Sequence, residues 1–245
     1  MTWRLYPGCT MNKGRLYLIP SPLAEGSVDS VIPEGTLEVI RRLDHFIVEE
    51  IRTARRFLIK AAITKTIDEL TFMVFNEHTG DAGLYDFLAC TASGHDVGLL
   101  SEAGVPCVAD PGSLIVAAAH ELGIKVIPLT GPSSILLALM ASGFNGQNFC
   151  FSGYLPADKA MRIKKIRDLE RTIREKDQTQ IFIETPYRNI QLFESLTAVC
   201  QENTRLCIAT DVSGEQEFIA TKPIGSWKRI KPQIHKKPTI FLLYH

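Results

Sequence analysis

The stretch from Val97 to Gly112, V-G-L-L-S-E-A-G-V-P-C-V-A-D-P-G, constrains this chain more than any other. Its first four residues are apolar, as in a short strand buried in a parallel sheet. The run then breaks into a loop with Gly104, Pro106, Pro111 and Gly112, and with the carboxylates Glu102 and Asp110. A helical pattern follows over Ser113 to Leu122. Open α/β sheets bind ligands outside the carboxyl ends of such strands. Glycine lets backbone approach a ligand closely, and proline fixes the loop so that little entropy is lost on binding. The same residues would equally serve as a plain structural turn between strand and helix.

The rest of the first half repeats this grammar. Strands are expected at Arg15 to Ile19, His45 to Val48, Phe72 to Phe75 and Lys125 to Leu129, with helical patterns between them. Pro33 suits a helix start, and Leu84 to Cys90 reads as the helix leading to the central strand. Alternation of this kind predicts a parallel, doubly wound sheet. The second half differs. A strand at Phe149 to Ser152 leads to a charged helix over Lys159 to Lys176. Strands follow at Gln180 to Glu184, Leu206 to Ala209, Glu217 to Ala220 and Thr239 to Tyr244, with a single helix among them ending near Cys200. That succession predicts a mixed sheet. The fold class is therefore α/β with two α/β domains, 15–145 and 146–245, a cofactor cleft between them, and a flexible extension over 1–14. The boundary is placed at Phe144 to Gln147, where Gly, Asn and Gln collect.

Composition removes several function classes. Lys plus Arg and Asp plus Glu stand at 27 each, so net charge does not mark a strongly basic nucleic-acid binder, although local patches remain open. The six cysteines are scattered without a C-x-x-C pair, which suits reduced thiols in a cytoplasmic protein and neither a disulfide frame nor a metal site. No apolar run approaches the roughly 18 residues of a membrane span. No G-x-G-x-x-G follows a strand, and there is no G-x-x-x-x-G-K-[ST], which counts against an unrelated nucleotide-binding enzyme.

Five strings carry a resemblance. S-E-A-G-V-P (101–106) with V-A-D-P-G (108–112), P-L-T-G-P-S-S (128–134), F-S-G-Y-L-P (151–156) followed by Arg162, and E-T-P-Y-R (184–188) stand in the order and spacing of one family. The chain resembles the tetrapyrrole-methylase superfamily of S-adenosylmethionine methyltransferases, in the branch containing ribosomal RNA small subunit methyltransferase I. Departures are equally visible. The family's T-P-I-G-N-L is here S-P-L-A-E-G (21–26), and E-D-T-R is E-E-I-R (49–52). A late R-E-L-T-K is replaced by T-D-V-S-G (210–214), and the chain ends soon after its last predicted strand, without the extension some relatives carry.

The resemblance implies S-adenosylmethionine as cofactor, with contacts at Pro22, Ser101, Glu102, Ala103, Gly104, Gly131, Tyr154, Leu155, Pro186, Pro238 and Thr239. It also implies a homodimer and ribosomal RNA as substrate, with a ribose 2′-oxygen the simplest acceptor. Methyl transfer from a sulfonium is an in-line displacement that needs no metal and no protein nucleophile, only positioning and water exclusion. A carboxylate or histidine can receive the acceptor's proton. Glu49, Glu50 and Asp110 are expected in that role and His78 near the substrate, because all four follow predicted strand ends. Glu50 and Asp110 would alternatively cap helices. Arg52, Arg162 and Arg188 are the expected substrate-binding cations, though Arg162 sits in a helix that otherwise reads as a solvated charged face. Two further readings stay open: methylation of a tetrapyrrole-like or other small molecule, and cofactor binding without turnover.

Overall fold

The computed structural model describes residues 13–26, 28–76, 79 and 83–245. They divide into two compact units, one reaching Pro22 and resuming over Gly26–Pro132, the other comprising Leu23–Glu25 and Ser133–His245.

In the first unit five parallel strands, β1 (Leu16–Ile19), β2 (His45–Val48), β3 (Thr71–Val74), β4 (Val97–Leu100) and β5 (Val126–Pro128), lie in the order β3-β2-β4-β1-β5. Their side chains alternate between two cores. Tyr17, Ile19, Phe46, Val48 and Leu100 share a cluster with Leu37 and Ile40 of α1 (Glu34–Ile40) and Leu58 of α2 (Ile51–Lys60). Leu16, Ile47, Val97 and Leu99 share the opposite cluster with Leu88 and with Ile115 and Ala118 of α3 (Ser113–Glu121). Helices thus cover both faces, as strands apolar on both sides require. The chain leaves β1 through α1 on one face and leaves neighbouring β4 through α3 on the other. The point where the winding reverses therefore lies between the carboxyl ends of β1 and β4.

Two local expectations need correction. The helix before β4 is a 3-10 helix, and it runs over Asp86–Ser93 where Leu84 to Cys90 was expected. Thr91 Oγ1 donates to the Leu88 carbonyl at 2.7 Å, a local side-chain bond that competes with the α-helical ladder. Of the expected extension, residues 1–12 lie outside the described residues, but Lys13 and Gly14 are tied down. The Gly14 N–H donates to the Thr91 carbonyl at 2.9 Å, and Lys13 Nζ donates to the Leu122 carbonyl at 2.8 Å.

The second unit carries a mixed sheet, β6 (Phe149–Tyr154), β7 (Thr179–Ile183), β8 (Arg205–Thr210), β9 (Phe218–Pro223) and β10 (Thr239–Tyr244), in the order β6-β7-β10-β8-β9. Only β6 and β7 run parallel. One face packs Phe182, Leu206, Ile208 and Phe241 against Ile166 and Leu169 of α5 (Lys159–Lys176), Leu192 of α6 (Asn189–Val199) and Trp227 of α7 (Ile224–Trp227). The other packs Ile181, Cys207, Ile240 and Leu242 against Ala138 and Leu139 of α4 (Ser134–Ser142) and against Phe144. This explains why the boundary falls at Pro132–Ser133, ahead of the expected Phe144 to Gln147. The apolar face of α4 is buried on the second sheet, and Thr221 Oγ1 fixes its end by donating to the Ser142 carbonyl at 2.8 Å.

Candidate active site

The loop after β4 is built around a short antiparallel bridge to the residues after β1. The Ser21 N–H donates to the Gly104 carbonyl at 2.8 Å, and the Gly104 N–H returns to the Ser21 carbonyl at 3.0 Å. Ser21 Oγ donates to the Ser101 carbonyl at 2.6 Å, and Ser101 Oγ donates to the Gly104 carbonyl at 2.8 Å. Ser101, Gly104 and Ser21 are buried by this network, while Glu102 and Ala103 form its exposed crest and Pro22 is half-buried beside it. Gly104 has φ 76°, a left-handed conformation that favours glycine. Cys107 and Ala109 also adopt left-handed φ, at 67° and 59°. Such strain, held by the surrounding fold, is characteristic of functional loops. Gly131, expected as a cofactor contact, packs closely on Pro20: a Cβ there would overlap the proline ring.

Two neighbouring strand ends bring carboxylates together. Val48 at the end of β2 pairs in register with Leu100 at the end of β4, so Glu49 and the loop carrying Glu102 and Asp110 meet at one sheet edge. Glu49 is pushed up from 4.5 to about 7, first by burial, then by the charge of Asp110 and a hydrogen bond with it, and by the charge of Glu102. The Glu102 amide opposes this by donating to Glu49. Glu49 therefore holds or releases a proton near neutral pH, with Asp110 hydrogen-bonded beside it. Asp110 also anchors the next helix, its Oδ1 accepting from the Gly112 N–H at 2.6 Å. The Cys107 thiol is raised to about 11 by burial and by Asp110, so it stays protonated and supplies no nucleophile at neutral pH.

Glu50 is the first correction. Its carboxylate accepts from the Arg52 N–H at 2.8 Å, the Thr53 N–H at 2.6 Å and Thr53 Oγ1 at 2.9 Å. It is the N-cap of α2, held below the ordinary carboxylate range by those donors, and is not available as a base. Arg162 is the second. It is 5% exposed and donates to Ser195 Oγ at 3.1 Å and to the Ala157 carbonyl at 2.8 Å, so it ties α5 to α6 and cannot reach a phosphate. Leu155 is 2% exposed, its side chain part of the second unit's core, which leaves only its backbone for a ligand. Arg52 is exposed on the first turn of α2. His78 lies outside the described residues.

The remaining expected contacts gather in the second unit. Tyr154, 56% exposed, ends β6 just after Gly153, where the pairing register shifts. Pro186 opens the 3-10 turn Pro186–Arg188, and its carbonyl accepts from the Lys236 N–H at 3.0 Å. The Pro238 carbonyl accepts from the Asp211 N–H at 3.0 Å. Thr239 Oγ1 accepts from Asn189 Nδ2 at 3.2 Å and lies 3.2 Å from Thr210 Oγ1. Arg188 donates through Nη2 and Nε to Glu184 Oε1 at 2.6 and 3.0 Å. Glu184 and Asn189 were not expected here. Both are buried, and Glu184 Oε2 and Asn189 Oδ1 have no protein hydrogen-bond partner among the described residues. Glu184 was visible as the first residue of E-T-P-Y-R. Asn189 carried no signal beyond following that string.

Residues 31–227 match the family described as Tetrapyrrole (Corrin/Porphyrin) Methylases. The chain belongs to the tetrapyrrole methylase family. It is a methyltransferase. Ribosomal RNA small subunit methyltransferase I of Escherichia coli O157:H7 is 30% identical over 87% of this chain and 71% of its own length. The Haemophilus influenzae protein of the same name is 30% identical over 86% and 70%. Among solved structures, the methyltransferase CobJ superposes with a TM-score of 0.63 at 17% identity, covering 95% of this chain and 94% of that one. Diphthine synthase gives 0.64 at 17%, over 94% and 90%. These two superpositions establish the tetrapyrrole methylase fold for a chain whose motif strings had suggested it. Among the described residues, no helix is long and apolar enough to cross a membrane.

Proposed function

We propose that this chain transfers a methyl group from S-adenosylmethionine to ribosomal RNA, at a ribose 2′-oxygen. The observation that carries the reading is the Glu49–Asp110 pair at the edge of a methylase sheet, with a carboxyl poised near neutral pH. Support for the substrate comes from the names of the relatives at 30% identity.

S-adenosylmethionine, when bound, supplies an electrophilic methyl on a sulfonium. Glu49, Glu102 and Asp110 give the first unit's loop a negative field that suits a cationic ligand. The exposed Ala103 amide and the half-buried Pro22 offer contact beside it. In the second unit Tyr154, Pro186, Pro238 and Thr239 are proposed as further cofactor contacts, and the unpartnered acceptors of Glu184 and Asn189 beside them suit a ligand that carries donors. Glu49, in its ionised form, accepts the hydroxyl proton as the oxygen attacks, and its neutral-range titration matches a general base. The same proposal includes a two-fold homodimer, against which a monomer mass in light scattering at micromolar concentration would count.

The test combines calorimetry with S-adenosylhomocysteine and transfer of labelled methyl from S-adenosylmethionine to small ribosomal subunits. Binding together with transfer to the subunit RNA is expected. No binding to well-folded protein, or binding without transfer to subunits, would overturn the reading.

A further inference from the structure

Residues 218–245 hold six lysines and arginines and no aspartate or glutamate, in a chain whose charges balance as a whole at 27 of each sign. The structure shows how that segment is presented. Ile224, Trp227 and Ile234 are fully buried in the second unit's core, Ile230 packs against it, and Trp227 Nε1 donates to the Leu206 carbonyl at 2.8 Å. Anchored from beneath, the segment turns Lys228, Arg229, Lys231, His235 and Lys236 to solvent. Lys228 pairs with Glu202 at 3.0 Å. Arg229, Lys231, Lys236 and Lys237 have no ion pair among the described residues.

A second loop is fastened to this one. The Lys236 N–H donates to the Pro186 carbonyl at 3.0 Å, and Asn189 Nδ2 donates to the Ile234 and Lys237 carbonyls at 3.0 and 2.8 Å. The fastening sets Tyr187, 71% exposed, with its ring 5.7 Å from Lys236 Nζ. Arg188 follows at once, with part of its guanidinium in solvent. Unpaired cations beside a bare aromatic ring are what a single nucleic-acid strand requires, phosphates meeting the charges and one base stacking on the ring.

Resting on the function proposed above, we propose that single-stranded RNA docks on this edge of the second unit. Arg229, Lys231, Lys236 and Lys237 contact its phosphates, and one unpaired base stacks on Tyr187. A patch that merely attracted anions would need the lysines and arginines alone. The tyrosine makes the surface one for nucleic acid and not for an acidic protein.

The experiment measures anisotropy of a short fluorescein-labelled single-stranded RNA across salt from about 50 to 200 mM. The triple variant Arg229→Gln, Lys231→Gln, Lys236→Gln should flatten the slope of log affinity against log salt by about 2, since each single-strand phosphate contact contributes about 0.7. Tyr187→Ala should weaken binding about tenfold and leave the slope unchanged. An unchanged thermal midpoint for each variant shows that the loss is not one of folding. Full RNA affinity and slope in the triple variant overturns the proposal. So does polyglutamate binding as tightly as RNA with Tyr187→Ala neutral. Methyl transfer to ribosomal subunits by the unaltered protein, followed in parallel, separates the two failures. If transfer occurs while the triple variant still binds RNA normally, the docking surface is wrong and the function stands. If transfer is absent while the triple variant loses RNA affinity and slope, the function falls and the docking surface stands.

Discussion

Replacing Glu49 with glutamine tests the carboxyl pair without relying on any substrate. Glu49 rises from 4.5 to about 7 in the fold, so the folded chain binds its proton more tightly than the unfolded chain does. Its contribution is therefore fully present below pH 4.5, declines through the interval, and is lost above about 7. In a dry site this would correspond to about 3 kcal/mol. Glu49 is only half-buried, and solvent screening brings it to about 1 kcal/mol. The glutamine variant carries no charge at any pH and keeps most of the side-chain volume. It should match the unaltered protein in stability near pH 4.5 and exceed it by about 1 kcal/mol at pH 8. Urea denaturation at several pH values from 4.5 to 8.5 reads the difference directly. Asp110→Asn should act through the same pair, drawing Glu49 down toward its ordinary value and moving the acid limb of methyl transfer to lower pH. A stability difference between Glu49→Gln and the unaltered protein that stays flat with pH, or that favours the unaltered protein at pH 8, would refute the paired arrangement.

Three further perturbations separate structure from site. Gly104→Val places a branched side chain at φ 76° and disturbs the bridge to Ser21, so S-adenosylhomocysteine affinity in calorimetry should fall at least tenfold, about 1.4 kcal/mol. Gly131→Ala forces a Cβ into the Pro20 ring and should destabilise the first unit by about 1–3 kcal/mol in urea denaturation, and a neutral result would show that the contact relaxes freely. Arg162→Met should destabilise by about 2 kcal/mol through lost buried hydrogen bonds while the salt slope of RNA binding stays unchanged, whereas a flattened slope would restore Arg162 as a phosphate contact.

Much of the fold was legible because its signals are local. His45–Val48, Val97–Leu100, Lys159–Lys176 and Thr239–Tyr244 lie where apolar runs and helical spacing put them. The boundary was not legible, because Gly143 to Gln147 is a true break in local structure that happens to lie inside one core. Only the packing of Ala138 and Leu139 on Ile240 and Leu242 assigns α4 to the second unit, and no window of sequence contains both partners. Arg162 illustrates the reverse. Its helix looks solvated by composition, yet Arg162, Ile166, Leu169, Glu170 and Ile173 form one buried stripe at helical spacing, and the two charges on that stripe are satisfied by groups far along the chain.

The candidate site divides along the same line. Chain direction in a parallel sheet brings every residue after a strand to one edge, which is why Glu49, Glu50, Glu102 and Asp110 could all be singled out from order alone. What each carboxylate does there depends on its nearest donors. Glu50 and Glu49 are adjacent and chemically identical, but exposed Glu50 faces two amides at the start of α2, which stabilise its charge, while Glu49 is half-buried and faces Asp110 and Glu102, and both burial and those acids oppose its charge. One residue becomes a fixed anion and the other a proton carrier, because the turn from extended strand into helix gives Glu50 the amides in solvent and leaves Glu49 half-buried against acids. A substitution that moved the start of α2 back by one residue would therefore offer the amide donors to Glu49 and lower its titration, while Glu50, fully exposed, would lose the donors without becoming a neutral-range group.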